Sequence, residues 1–577
     1  MKENLKKIWN ILNDNQKKQF YFLIILLIIG TFFELLSIGL VFPVVSILFD
    51  VGNQSTQFLK KLFGLFSNDI SQDKMVLISL SLLVIIYLIK NLVLTIIAKI
   101  EVSKIVKIKF EIADSLYRKF ITNPYRFHLN NNSSNLINFT TNQIDSFSNS
   151  MFNCVILAAE ILIILGVISV LFFTEPGGTA IIALLSLIFG LTFYKVMKKR
   201  ISKLSQEMSD NRSYKIKNLQ ESFGSIKEIK IYNKEKYFFN LFNIYNKKVV
   251  DIEGYETFLK RLPRLWFEFL CVLIFVTFLI FTISLSNIDI INLTPILGLF
   301  GVATIRLIPS INRILLAIQT INFGEAALIM LDQNLNSIQQ PRKVNNISPN
   351  KNKFTKNLTF ENVSFSFNKE KKIVDNINLN IERGDFVGFF GETGVGKTTL
   401  LNILLGLIKP TFGKIKIDGE NIENDLAQWQ SKIGFVPQSI YLLDDTIIKN
   451  IAFGVSDIEI DHEKMKSIIR DSQLEKFVLN LPKKENNLVG ERGMQISGGQ
   501  LQRIGIARAL YINPEILIFD ESTSSLDNET ELKIMETIKN VKKDKTVIFV
   551  SHKKTPMKFC NKLFEIKKSG VILRDKL

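Results

Sequence analysis

Gly391-Glu392-Thr393-Gly394-Val395-Gly396-Lys397-Thr398 lies between an apolar run, Phe386–Phe390, and a helix-forming stretch that starts at Thr399. A glycine, four residues, then Gly-Lys-Thr, set between a strand and a helix, is the spacing of a phosphate-cradling loop. Its glycines let backbone N–H groups close around phosphate oxygens, and the N-terminus of the next helix favours the anion. The residues expected around a nucleotide are Gly391, Glu392, Thr393, Gly394, Val395, Gly396, Lys397, Thr398 and Thr399. Lys397 is expected to reach the β- and γ-phosphates, and Thr398 to ligate Mg²⁺. Outward from this loop, short strands, glycine turns and amphipathic helices fill residues 353–577, which read as a soluble α/β domain.

Further along, Ile516-Leu517-Ile518-Phe519-Asp520-Glu521 reads as an apolar strand ending in two acids. Asp520 suits the Mg²⁺ shell, and Glu521 suits a general base that polarises an attacking water. Before it, Ile496-Ser497-Gly498-Gly499-Gln500 precedes a helix containing Gln502, Arg503 and Ala507-Arg508-Ala509. With these elements in order, the chain resembles the ATP-binding cassette (ABC) family, whose signature reads LSGGQ; Ile496 stands here for the leucine. The resemblance implies further roles. Phe367 would stack on adenine, where Tyr is more usual. Gln438, in Val436-Pro437-Gln438, would sense Mg²⁺ and the attacking water, and His552 would contact the γ-phosphate. Ser525-Leu526-Asp527 matches the D-loop, and Gly490-Glu491-Arg492-Gly493 resembles the exporter X-loop. Lys553-Lys554 replaces the more usual Arg-Leu after the histidine. Catalysis is thus assigned to Glu521, His552 and Gln438, and the metal to Thr398, Gln438 and Asp520. In this family each ATP lies between the phosphate loop of one cassette and Ser497, Gly498, Gly499 and Gln500 of another. One chain has one cassette, so a homodimer is implied, or a heterodimer with a related chain.

The rest of the chain is of another character. Hydrophobic residues make up 47% of 577, mean hydropathy is +0.20, and the excess falls in the first 320 residues. This excludes a disordered chain, a purely soluble enzyme and a disulfide-stapled secreted domain. Cys154, Cys271 and Cys560 have no metal-ligand spacing. Six apolar runs, about 20–49, 75–98, 151–173, 178–194, 266–285 and 295–320, meet the roughly 20 residues a bilayer requires. The net charge is +18, and 17 of the basic residues lie in 195–264. Residues 99–126 are also basic, whereas 174–177 and 286–294 carry no Lys or Arg, so both termini are expected in the cytoplasm. Leu5, Ile8, Trp9 and Leu12 share one face of a predicted amphipathic helix, 4–18, expected to lie on the membrane surface. Phe58, Leu59, Leu62, Phe63 and Phe66 form a similar face in the first external loop. Helices 2 to 5 are expected to run well beyond the bilayer, with breaks near 124–132 and 224–237 that match the family's coupling helices.

The expected architecture is an α-helical six-span transmembrane domain (1–335), a linker (336–352) and a soluble α/β ATP-binding cassette, a P-loop NTPase domain (353–577). It resembles the exporter-type half-transporters: an ATP hydrolase coupled to transmembrane transport, using ATP and Mg²⁺. Six spans exclude the nucleic-acid ATPases that share the cassette.

Charges inside the apolar runs bear on the cargo. Lys90, Arg306 and Arg313 lie within them and Arg264 just before the fifth. An intramembrane charge costs a few kcal/mol or more unless it faces a wet cavity or a partner. At ~1.5 Å per residue, Arg306 lies ~16 Å, Lys90 ~22 Å and Arg313 ~27 Å from the external ends. A basic inner cavity would draw an anionic group. Alternatively the cations pair with Glu34, Glu160 or Glu268. Ile305–Ile314, Leu262-Pro263-Arg264 and the external loop resemble the flippases of lipid-linked oligosaccharides in bacterial protein N-glycosylation. That resemblance implies substrate contacts at Arg264, Arg306 and Arg313, with Lys90 where an Arg stands. It also implies a bacterial inner-membrane protein that moves a polyprenyl-pyrophosphate glycan to the outer leaflet. An exporter of another lipid, a peptide or a drug is the competing reading, and a non-transporting ATP-gated regulator a further one.

Overall fold

The computed structural model describes residues 1–40, 44, 72–174, 176–285, 307, 309–337, 353–366, 372–521, 527–541, 545–551, 557–567 and 570–574. The chain divides into two compact units: Met1–Asn123 with His128–Arg342, and Lys343–Leu577 with Pro124–Phe127.

In the first unit the sequence puts a helix break where the amphipathic pattern alone does not. Asn13 Oδ1 accepts from the Gln16 backbone N–H at 2.8 Å, and Gln16 Oε1 accepts from the Asn13 N–H at 3.0 Å. This reciprocal cap satisfies two N–H groups that a helix start would otherwise orphan. The expected helix 4–18 is therefore two elements: Lys2–Ile11, and the start of Asp14–Gly39. Part of the apolar face of the first is covered by protein, while Leu5 stays exposed. Ile8, Ile11 and Leu12 are buried within the protein, and Asn4 Nδ2 donates to Asn322 Oδ1 at 3.3 Å.

Three long helices follow the basic connections: Gln72–Thr122 and Glu235–Leu285, of 51 residues each, and Pro176–Gly224, of 49. At 1.5 Å per residue each is roughly 75 Å long, more than twice the ~30 Å hydrocarbon layer, so each runs far outside it. At the two expected breaks stand short helices, Tyr125–Asn130 and Ile226–Ile231. Among the described residues three helices are long and apolar enough to cross a membrane: Asp14–Gly39, Val76–Thr122 and Ser133–Phe172. A pair bent by 48°, Pro309–Phe323 and Glu325–Leu335, is a fourth when taken as one span. The expected fourth and fifth runs fall within Pro176–Gly224 and Glu235–Leu285. The bend lies at Gly324, where a Cβ would stand 2.2 Å from Ser150 Oγ, so any larger residue would make that hydroxyl move. The external-loop face at 58–66 and most of the 336–352 linker lie outside the described residues; the helix before the linker reaches Ser337.

Small polar residues hold the long helices of this unit together. Ser202, Ser205, Ser209 and Ser213 share one face of Pro176–Gly224. Ser202 Oγ donates to Glu325 Oε2 at 2.5 Å, and Ser205 Oγ accepts from the Ala326 N–H at 3.1 Å. Ser209 Oγ accepts from Gln143 Nε2 at 2.8 Å, and Ser213 Oγ from Asn138 Nδ2 at 2.9 Å.

The second unit carries two sheets. In the first, β1 (Asn357–Ser366), β2 (Lys372–Glu382), β4 (Phe412–Ile417) and β5 (Glu420–Asn421) pair antiparallel in the order β2-β1-β4-β5. The second contains β3 (Phe386–Phe390), β6 (Ile433–Val436), β7 (Ile516–Asp520), β8 (Thr546–Val550), β9 (Lys562–Lys567) and β10 (Gly570–Arg574). Its order is β10-β9-β3-β8-β7-β6, parallel except for β10. Strands buried on both faces need continuous apolar runs, which is why Ile516–Phe519 and Val547–Val550 carry no alternation. Leu517, Phe519, Val547 and Phe549 join one core, and Ile516, Ile518, Ile548 and Val550 the other.

Candidate functional site

β3 runs directly into the phosphate loop, and Lys397 opens the helix Lys397–Leu404. Gly394 and Gly396 sit at φ 84° and 101°, in the left-handed region that favours glycine. At Gly391 a Cβ would lie 2.4 Å from the Ile566 carbonyl oxygen, so the loop backbone lies against β9. Lys397 Nζ donates to the carbonyls of Gly391 at 2.7 Å and Glu392 at 3.0 Å. Burial pulls its ammonium below the usual lysine range, and the carboxylates of Glu521 and Asp520 push it back up. Glu392, Thr393, Gly394 and Thr398 are exposed around the cradle.

Asp520 and Glu521 arrive at the loop from the end of β7, two strands from β3. The Glu521 N–H donates to the Val550 carbonyl at 2.8 Å, and Glu521 takes φ 46°, a strained conformation for a side-chain-bearing residue. That turn lets Glu521 Oε2 accept from Gln438 Nε2 at 2.9 Å. Burial, then the neighbouring Glu521, raises the Asp520 carboxyl to about 6, and Lys397 opposes this. A buried aspartate crowded by a second carboxylate suits a cation, so Thr398, Gln438 and Asp520 are a chemically apt set for Mg²⁺.

Ser497 caps the helix Gly498–Tyr511, with Gln500 returning the bond at 2.9 Å. Ser497 and Gly498 are exposed, so this helix start is open to a ligand brought by another chain. Asp527 Oδ2 accepts from the Thr530 N–H at 2.9 Å and starts the helix Asn528–Val541. Phe367, His552, Ser525, Leu526 and Arg306 lie outside the described residues.

Two residues given no role from sequence hold the segment after Gln438. Asn450, fully buried, donates from Nδ2 to the Leu443 carbonyl at 3.0 Å and accepts from the Leu443 N–H at 2.9 Å. Arg508 donates to the carbonyls of Asn450 at 2.8 Å and Tyr441 at 3.0 Å, and stacks over Phe453. Arg508 stood in the sequence among the residues of the signature helix without an assigned role; Asn450 carried no signal.

Residues 374–524 match the family described as ABC transporter, and residues 20–306 match ABC transporter transmembrane region. The chain belongs to the ABC transporter family. It is an exporter half-transporter, one transmembrane region and one ATP-binding domain, and its ATP hydrolysis is coupled to transport. An ATP-dependent lipid A-core flippase of Cupriavidus pinatubonensis is 28% identical over 448 residues, 76% of this chain and 74% of that protein. One from Ralstonia nicotianae is 25% identical over 81% of this chain and 78% of its own length. ABC transporter B family member 24, mitochondrial, of Arabidopsis thaliana is 37% identical over 216 residues, 37% of this chain and only 32% of that protein. In fold, the chain is similar to a bacterial Atm1-family ABC exporter solved with ATP bound, with TM-score 0.78 and 19% identity over 97% of this chain and 95% of that one.

In the membrane part of this half-transporter the described cations have partners. Arg313 Nη1 donates to Glu160 Oε1 at 2.6 Å, and Arg264 Nε to Glu268 Oε1 at 3.1 Å. Lys90 Nζ lies 4.3 Å from the centre of the Tyr87 ring. Pairing with acids, one of the two arrangements open from sequence, is therefore present for both arginines.

Proposed function

We propose that two copies of this chain form an ATP-driven flippase that turns a polyprenyl-pyrophosphate glycan from the cytoplasmic to the outer leaflet of a bacterial inner membrane. The transmembrane domain would be 1–335, the linker 336–352 and the nucleotide-binding domain 353–577, with both termini in the cytoplasm. Relatives named lipid A-core flippases support a lipid cargo and flippase-type export. The observation that carries the choice of an anionic headgroup is Arg313, a half-exposed guanidinium on a membrane helix. Lys90, Arg264 and Arg306 would extend the same basic lining.

Chemistry follows from the cassette residues. Lys397 exchanges its two carbonyl contacts for phosphate oxygens when ATP enters the loop. Ser497, Gly498, Gly499 and Gln500 of one copy close on the nucleotide held by the other. Phe367 stacks on adenine. Thr398, Gln438 and Asp520 would hold Mg²⁺, which supplies positive charge between the phosphates. Glu521, oriented by Gln438, accepts a hydrogen bond from the attacking water, and His552 contacts the γ-phosphate. Closure of the cassettes would pass to the membrane helices through Tyr125–Asn130 and Ile226–Ile231.

The test is flipping by the purified chain in proteoliposomes, with ATP, a labelled polyprenyl-pyrophosphate oligosaccharide and a labelled phospholipid. Selective glycolipid movement is expected, abolished by Glu521→Gln and cut at least about tenfold by Arg306→Ala, the scale of one lost charge-assisted contact. ATP hydrolysis without glycolipid movement would sink the cargo assignment.

A further inference from the structure

We propose that Glu160 is a positioning residue for Arg313: its buried carboxylate ties down one guanidinium nitrogen and turns the remaining donors outward, toward an anionic lipid headgroup. The inference rests on the reading of the chain as a lipid flippase and adds to it a residue that does not itself touch cargo.

The asymmetry of the pair carries the argument. Glu160 lies on Ile144–Thr174 with a side chain only 4% exposed, whereas the Arg313 side chain is 53% exposed. Such a pair presents its negative end to the protein and its positive end to the open face. Their contact is short, 2.6 Å, and uses Nη1. Among the described residues it is the one contact Arg313 makes, so Nε and Nη2 remain for a ligand. Five donors in a rigid plane allow this division: one edge held, the other edge free to take a phosphate oxygen. A lysine could not do the same, because a single ammonium offers no second edge. An arginine without Glu160 would keep its charge but lose its direction, and its rotamer freedom would have to be frozen on binding. The geometry also explains why a carboxylate stands in a membrane helix, where an unpaired one is costly.

A purely structural ion pair gives a different experimental outcome. Initial rates of flipping are measured for the full-length chain in proteoliposomes against the concentration of three labelled probes. These are a polyprenyl-pyrophosphate oligosaccharide, a lipid A and a phosphatidylcholine. For the anionic probe that the wild-type chain moves, Glu160→Gln is expected to raise KM about tenfold with kcat held within about twofold. Arg313→Ala raises KM at least as far, Arg313→Lys does not restore it, and Glu160→Gln adds nothing in the Arg313→Ala background. If Glu160→Gln fails to fold, Glu160→Asp, which keeps the charge on a shorter arm, carries the same comparison. An unchanged KM, additive effects in the double variant, or equal falls in kcat and thermal stability would overturn the proposal. Movement of lipid A with the expected KM shift, and none of the oligosaccharide, would overturn the cargo reading and leave Glu160's role standing. Movement of phosphatidylcholine alone, or of none of the three, would overturn both.

Discussion

Asp520 shows how a residue apt for a metal opposes stability in its resting state. Its carboxyl is buried beside Glu521 and titrates near 6, above the ordinary aspartate value. A carboxyl raised in the folded state binds more protons there than in the unfolded chain. Its contribution to stability is therefore full at pH below the unfolded value near 3.8 and is lost as pH rises through about 6. At pH 7 and without nucleotide, Asp520→Asn is expected to stabilise the protein by about 1–2 kcal/mol, a gain that vanishes toward pH 4. ATP hydrolysis should be lost in the same variant. Thermal unfolding at pH 7 and pH 4.5 checks this, and a destabilised Asp520→Asn at pH 7 would contradict it. At this scale the phosphate loop was legible where its constraints are local: φ above zero at Gly394 and Gly396, and the nearness of Lys397 to its own loop; the approach of Gly391 to the Ile566 carbonyl was not. The Gln438–Glu521 contact was not, since it needs β6 and β7 to be neighbours.

Asn13 shows the same division at the scale of an element. The apolar spacing of Leu5, Ile8 and Leu12 ends at Leu12, and residues 13–18 are all polar, so periodicity does not mark where the helix stops. The stop signal was present nevertheless, since Asn13 and Gln16 have the spacing of a capping box. Gln16 Nε2 then donates to Glu111 Oε2 at 2.9 Å, tying Asp14–Gly39 to Gln72–Thr122. Asn13→Ala should cost about 1 kcal/mol locally, which corresponds to roughly fivefold faster amide exchange over the first turns of Asp14–Gly39. Hydrogen exchange followed by mass spectrometry reads this directly, and unchanged exchange would show that packing, not the cap, holds that end.

For the whole molecule, two surfaces are unfinished in one chain. The signature helix start at Ser497 and Gly498 is exposed, and only 6% of the apolar window of Val76–Thr122 is buried within the chain. Lipid covers apolar surface, but it cannot complete a nucleotide site. The detergent-solubilised Glu521→Gln chain with ATP is therefore expected to show a protein mass of two chains by light scattering. A single-chain mass under those conditions would sink the homodimer.

Local spacing alone decided that a strand, a phosphate loop and a helix follow one another at 386–404. Hydropathy alone decided that long helices precede them, because a bilayer and a buried parallel strand each demand uninterrupted apolar runs. Arg264 meets Glu268 four residues on in its own helix, a local pair, but the acid that Arg313 meets was left open, and only the packed helices supplied it. Glu160 is 153 residues from Arg313 along the chain, and no local pattern can report a contact at that separation. The fate of the N-terminal amphipathic face was of the same kind. Its apolarity is a property of sequence, but what covers it depends on which helices fold back beside it, and here protein covers Ile8, Ile11 and Leu12 while Leu5 stays exposed.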